Sequence, residues 1–358
     1  MIRFAWLRFR TQAAVALGVL TILAIVLAVT GVQVAHAYDA TVAACRQRGD
    51  CAAALSAFPD TVDPQWQWGL LDALVIAVPG LIGMFWGAPL AAREFETGTF
   101  RLAWTQGITR ARWLAVKLAV GGAASMAAAG LLSLMVTWWS SPIDTATMNR
   151  LSLESFPAGG VAPVGYAAFA FTLGLAAGVL IRRTVPAMAV TLVIFAAVQL
   201  AFPGWVRPHL IAPVQASSAL STASIQGVGS GGSPGPGSPL WVQAQADAPP
   251  GAWVLSSQIL TPAGRPASTE PASACGSQSS TRNECTSYIA SLHLRQTTTY
   301  QPISRYWPLQ WIETAVYLAL ALSLAGLCYL RIRPRRSARP DIHRPRAIHP
   351  APALERSP

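Results

Sequence analysis

Six apolar stretches constrain this chain more than anything else in its sequence. They cover residues 13–35, 69–91, 113–139, 161–181, 184–202 and 310–330. Each is long and clean enough to cross a bilayer core, which takes about 20 apolar residues. Only 11% of the 358 residues are charged, against about 25% in an ordinary soluble domain. In lipid, a backbone must satisfy its own hydrogen bonds, and a helix does so within one segment. The sequence therefore predicts an all-α polytopic membrane protein with six transmembrane helices. The fourth and fifth are separated only by Arg182 and Arg183, which predicts a tight helical hairpin. The first is too long for a signal-peptide core, and no small-residue cleavage site follows it closely, so it reads as a retained span.

Charge sets the orientation. If both termini are cytoplasmic, the inner segments are 1–12, 92–112, 182–183 and the tail 331–358. With Lys117, they hold 18 of the 26 Lys and Arg residues but only four of the 15 acids. The inner balance is +14 and the outer balance −3, as the positive-inside rule requires. The net charge of +11 is thus a consequence of topology, and no nucleic-acid partner is called for. Tryptophan points the same way. Trp66, Trp68, Trp138, Trp139, Trp205, Trp307 and Trp311 fall at the outer ends of the expected spans, where indole prefers the headgroup region.

Several segments lie outside the spans. Residues 1–12 alternate Arg3, Arg8 and Arg10 with Ile2, Trp6 and Phe9, which suits a short helix in the inner interface. Outer loops are expected over 36–68, 140–160 and 203–309. The last contains a Gly/Ser/Pro linker at 227–239, expected to be flexible. After the linker, GAWVLSSQIL and SYIASLHLRQTTTY read as strands of a small β-rich outer domain over about 240–305. Cys45 and Cys51 fall in the first outer loop, and Cys275 and Cys285 in the third. Two outer pairs fit disulfides in an oxidising exterior, with four free thiols as the alternative. The Arg/Pro-rich tail 331–358 reads as disordered and suited to anionic headgroups.

Familiar catalytic patterns are missing. The single lysine, Lys117 in RWLAVKLAV, lacks the preceding glycines of a phosphate-binding loop. GGSPG at 231–235 matches a nucleophile-elbow pattern, but Ser233 sits in the linker and Pro234 follows it, so no catalytic role is assigned. His36, His209, His293, His343 and His349 have no metal-ligand spacing. No catalytic residue, cofactor or metal is expected. Asp72, Lys117 and Glu313 lie near span ends and are expected to reach water. The deep interior then holds no ionisable side chain, which argues against proton- or ion-coupled transport. GMFWG (83–87) and GLAAG (174–178) allow close helix approach. Pro79 and Gly80 are expected to bend the second span.

The polar stretch between the second and third spans is the remaining puzzle. APLAARE extends the second helix, Gly98 breaks it, and Thr99 is placed to cap a short helix, FRLAWTQ. Phe100, Ala103 and Trp104 form its apolar side, with Arg101 opposite. Gly107 ends it and Thr109 caps the third span. The run REFETGTFRLAWTQGITRARWLAVKL resembles the cytoplasmic loop of type-2, exporter-like ABC-transporter permeases. The matching residues are Glu94 or Glu96, Gly98-Thr99, Leu102, Thr105, Thr109-Arg110 and Lys117. SRYWPLQWIETAVYLALAL also resembles actinobacterial-type members of that family, whereas the 107-residue outer loop departs from its compact pattern.

The resemblance implies a permease driven by a separate ABC ATPase subunit and paired with a second permease copy or paralogue. It would make 92–112 the coupling loop, with Arg93, Glu94, Glu96, Gly98, Thr99, Phe100, Arg101, Trp104 and Thr105 as docking residues. The expected location is the plasma membrane and the expected cargo hydrophobic or amphipathic. A membrane-anchored extracytoplasmic sensor or assembly factor remains the alternative.

Overall fold

The computed structural model describes residues 2–48, 51, 54, 58, 65–99, 109–148, 150–153, 155–230, 240–269, 275 and 282–332. The described chain is mostly helical. Six helices are long and apolar enough to cross a membrane: Thr21–Cys45, Val75–Glu96, Arg110–Ala146, Ala162–Ile181, Thr184–Leu210 and Ile303–Ile332. They overlap the six apolar stretches.

Helix α1 (Ile2–Arg48) is a single run of 47 residues, about 70 Å long at 1.5 Å per residue. The separate interfacial helix expected over 1–12 is therefore not set off by any break. Helix α2 (Gln65–Ile82) passes through a π-helical turn at Gly83–Gly87 into α3 (Ala88–Glu96). Helix α4 (Arg110–Thr147) begins at an N-cap supplied by Thr109, whose Oγ1 accepts from Arg112 N at 3.3 Å. Its end projects well past the expected span, so much of the second loop is helical.

The rest of that loop folds back into the bundle as the single turn α5 (Ser155–Ala158), with Phe156 fully buried. Gln310 makes this burial tolerable. Its Oε1 accepts from Val161 N (3.1 Å) and Ala162 N (2.8 Å), and its Nε2 donates to Phe156 O (2.9 Å) and Gly159 O (3.3 Å). Backbone groups that lipid would leave unsatisfied are thereby paired.

Helix α6 (Ala162–Ile181) is the hub. Every residue from Ala162 to Val179 except Val164 is buried. Both glycine motifs serve this packing. A Cβ added to Gly174 would overlap the Gly83 carbonyl, and one on Gly83 would overlap the Ala170 carbonyl. The π turn points Gly83 and Gly87 at α6, and only hydrogen side chains permit that approach. After Arg182, which caps α6 in the left-handed region (φ 59°), α7 (Thr184–Ala201) returns through a second π turn, Phe202–Val206, into α8 (Arg207–Leu210). The last helix is α10 (Tyr306–Ile332), which lies along α6.

Among the described residues, five strands and a helix lie between α8 and α10: β1 (Val214–Ala219), β2 (Ile225–Ser230), β3 (Leu240–Ala244), β4 (Trp253–Leu260), α9 (Arg282–Ser291) and β5 (Arg295–Gln301). The antiparallel orders are β1-β5-β4 and β2-β3. Three expectations are corrected here. Strand structure begins at Val214, not after the linker. Residues 227–230 belong to β2, so the linker is a hairpin connection, of which 231–239, including Ser233, lie outside the described residues. SYIASLHLRQTTTY is half helix, because Ser287–Ser291 close α9 and pack Ile289 on Leu240 and Leu294. Disulfides join Cys45 to Cys51 and Cys275 to Cys285.

Not every tryptophan is a surface anchor. Trp138, Trp205, Trp307 and Trp311 are exposed, but Trp139 is buried and donates from Nε1 to Thr30 Oγ1 (3.0 Å), joining α4 to α1. The side chains of Trp66, Trp68 and Asp72, and the tail 333–358, lie outside the description.

Candidate functional site

The polar stretch meets the bundle at the end where α3 stops and α4 begins. Thr97 closes α3 through N–H to Arg93 O (3.0 Å), and its Oγ1 also donates to that carbonyl (2.8 Å). Gly98 follows with φ 69°, a conformation that a glycine adopts freely. Thr97 and Thr99 hydroxyls lie 3.0 Å apart. Phe100, Arg101, Trp104 and Thr105 lie outside the described residues, with the rest of 100–108.

The two glutamates have partners within the chain. Glu94 Oε1 pairs with Lys117 Nζ at 2.8 Å, and Oε2 accepts from Trp113 Nε1 at 3.0 Å. Lys117 also donates to Leu90 O and sits 4.4 Å from the Trp113 ring centroid. Glu96 accepts from Thr184 N (2.8 Å) and Thr184 Oγ1 (2.6 Å), so it caps the N-terminus of α7, where a carboxylate meets free N–H groups and the positive end of the helix dipole. Arg93 is exposed. The end of α3 is thus fastened to α4 through one carboxylate and to α7 through the other. Lys117 is largely buried by this pairing and does not reach water as expected. Trp113 and Thr184 were missed, since their partners lie 19 and 88 residues away.

A second polar cluster overturns the expectation of an interior without charge. Glu313 and Arg207 are each 1% exposed. Arg207 Nε donates to Glu313 Oε2 (2.8 Å) and Nη2 to Oε1 (3.0 Å). Tyr166 also donates to Glu313 Oε1, and Tyr317 donates to Gln199 Oε1 at 2.7 Å. The guanidinium carbon lies 4.3 Å from the Phe156 ring centroid, and Nη1 has no hydrogen-bond partner. The sequence carried a signal for half of this. Gln310, Glu313, Thr314 and Tyr317 recur at helical spacing, which puts one polar stripe on the face of α10 turned to α6. Arg207 had no such signal. The π turn before it holds an extra residue, which turns the following side chains by about 100°.

No curated protein and no solved structure matches the chain. A family model does, over residues 17–207, which hold five of the six candidate spans, both glycine motifs and the fastened polar loop. On that match, covering more than half of its length, the chain belongs to the ABC-2 membrane transporter related family.

Proposed function

We propose that this permease exports a hydrophobic or amphipathic substrate from the cytoplasm, powered by a separate ABC ATPase that docks on the loop over 92–112. The observation carrying this reading is the double fastening of α3. A push on the loop moves α3, and Glu94 and Glu96 pass the displacement to α4 and α7 without a flexible link between. The segment 100–106, with Trp104 and Phe100 as its apolar docking residues, serves as the coupling element. Both termini lie in the cytoplasm, the strand-rich segment faces outward, and the complex sits in the plasma membrane with a second permease copy or paralogue. Arg207 and Glu313 neutralise each other and offer a charged cargo no net charge, which favours an apolar one.

The test is to reconstitute the permease with its ATPase and measure substrate-stimulated hydrolysis. Glu96→Ala removes the cap on α7 and should lower stimulation several-fold while leaving membrane insertion intact, because the apolar length of each span, not a cap at its end, carries it into the bilayer. Unchanged stimulation would remove the fastening from the mechanism.

A further inference from the structure

At the loop end of the bundle, Arg110, Arg182 and Arg331 surround a recess of about 290 Å³, completed by Phe95, Val179, Leu180 and Ile332. The arginines come from three elements. Arg110 opens α4, Arg182 caps α6, and Arg331 lies in the last turn of α10. Each marks the limit of a candidate span, so the recess lies at the boundary between hydrocarbon and water. Among the described residues, no acid lines it. Two of the cations are held in place: Arg110 Nη1 donates to Ile332 O (3.4 Å), and the Arg182 guanidinium lies 5.5 Å from the Phe95 ring centroid.

Helix C-termini favour cations, which accounts for Arg182 and Arg331 singly. Neither this nor the topology requires that three guanidinium-bearing side chains from three elements line one hollow. Guanidinium forks match phosphate oxygens in geometry as well as in charge. The other lining is apolar, and Leu180 is 48% exposed, giving an acyl chain a surface beside the charged hollow.

The geometry points to a binding site for the phosphate headgroup of an anionic phospholipid, with the acyl chains running down past Leu180. Basic hollows between spans are suited to such headgroups. The inference needs the chain to cross a membrane but does not depend on export or on the ATPase.

The test uses the full chain, purified in neutral detergent and stripped of lipid. Native mass spectrometry counts bound phosphatidylglycerol, with phosphatidylcholine and inorganic phosphate as comparison probes. One phosphatidylglycerol should be retained per chain, with phosphatidylcholine and inorganic phosphate held at least about tenfold more weakly. The triple variant Arg110→Gln/Arg182→Gln/Arg331→Gln should lose that lipid, and Arg183→Gln, one residue outside the recess, should keep it. If the triple variant does not fold, the single variant Arg331→Gln should weaken retention, while Arg331→Lys restores most of it. Equal retention by parent and glutamine variants would overturn the site. Displacement of the lipid by inorganic phosphate at equal concentration would assign it to a free anion. Loss of the lipid on adding the ATPase, with a cross-link from an acidic residue of that subunit to Arg182, would assign it to protein contact.

Discussion

Arg207 and Glu313, 106 residues apart, meet through two hydrogen bonds of 2.8 and 3.0 Å in a setting that leaves each 1% exposed. They sit on α8 and α10, the two helices between which the strand-rich segment is inserted. Just beyond them, Gln301 Nε2 donates to Ile211 O (2.6 Å), and Arg305 bonds both Ala212 O and Gln301 Oε1. The entry and exit of the insertion are therefore knit to each other and to the core around Tyr166 and Tyr317.

A buried ion pair is dangerous to break and less important to possess. Removing one partner leaves an uncompensated charge and costs about 3–5 kcal/mol, while an apolar pair of similar volume can be neutral. Glu313→Ala and Arg207→Ala should each lower the midpoint of thermal unfolding in detergent markedly. Arg207→Met/Glu313→Leu should recover most of the loss. A double variant as unstable as the singles would mean that the charges themselves hold the stems.

The crossing of the two glycine motifs makes a sharper contrast. Gly174→Ala places a methyl group against the Gly83 carbonyl, and overpacking of this kind costs about 1–3 kcal/mol. Gly326→Ala has nothing within 4 Å of its new atom, so it should be neutral or, as a helix-interior replacement, stabilising by up to about 1 kcal/mol. Thermal unfolding of the two variants side by side decides it; equal behaviour would contradict the close crossing.

Orientation is read from charge and is open to direct measurement. A cysteine at Ser217, on β1, should react with an impermeant maleimide in intact cells. One at Ser337 should react only after permeabilisation. Cys328, a free cysteine buried in α10, is replaced in both, and the four disulfide-bonded cysteines do not compete. Labelling of position 337 from outside would reverse the topology.

What the sequence disclosed follows from the range of each interaction. Spans, the Thr109 cap, the left-handed Gly98 and the two glycine motifs depend on residues within a turn or two of each other, and all were legible. Local pattern misled at Ser287–Ser291, where packing of Ile289 in the core beside β3 makes a helix of a strand-like run. Long-range pairings were invisible: Glu94 with Lys117, Glu96 with Thr184, Arg207 with Glu313. Each joins separate elements, and only the folded bundle specifies which polar groups meet. The π turn before Arg207 hid it further, because helical periodicity read from Thr184 onward assigns that position to the wrong face.

The central claim is that a separate ATPase grips the loop between α3 and α4. The most direct measurement is the affinity of that ATPase for the purified permease carrying Trp104→Ala or Arg101→Ala. An aromatic anchor at the centre of an interface contributes about 2 kcal/mol or more, a rim charge less than about 1. Trp104→Ala should therefore weaken binding about 30-fold or more and Arg101→Ala less than about fivefold. If both variants bind the ATPase as tightly as the parent, the loop is not where the two proteins meet.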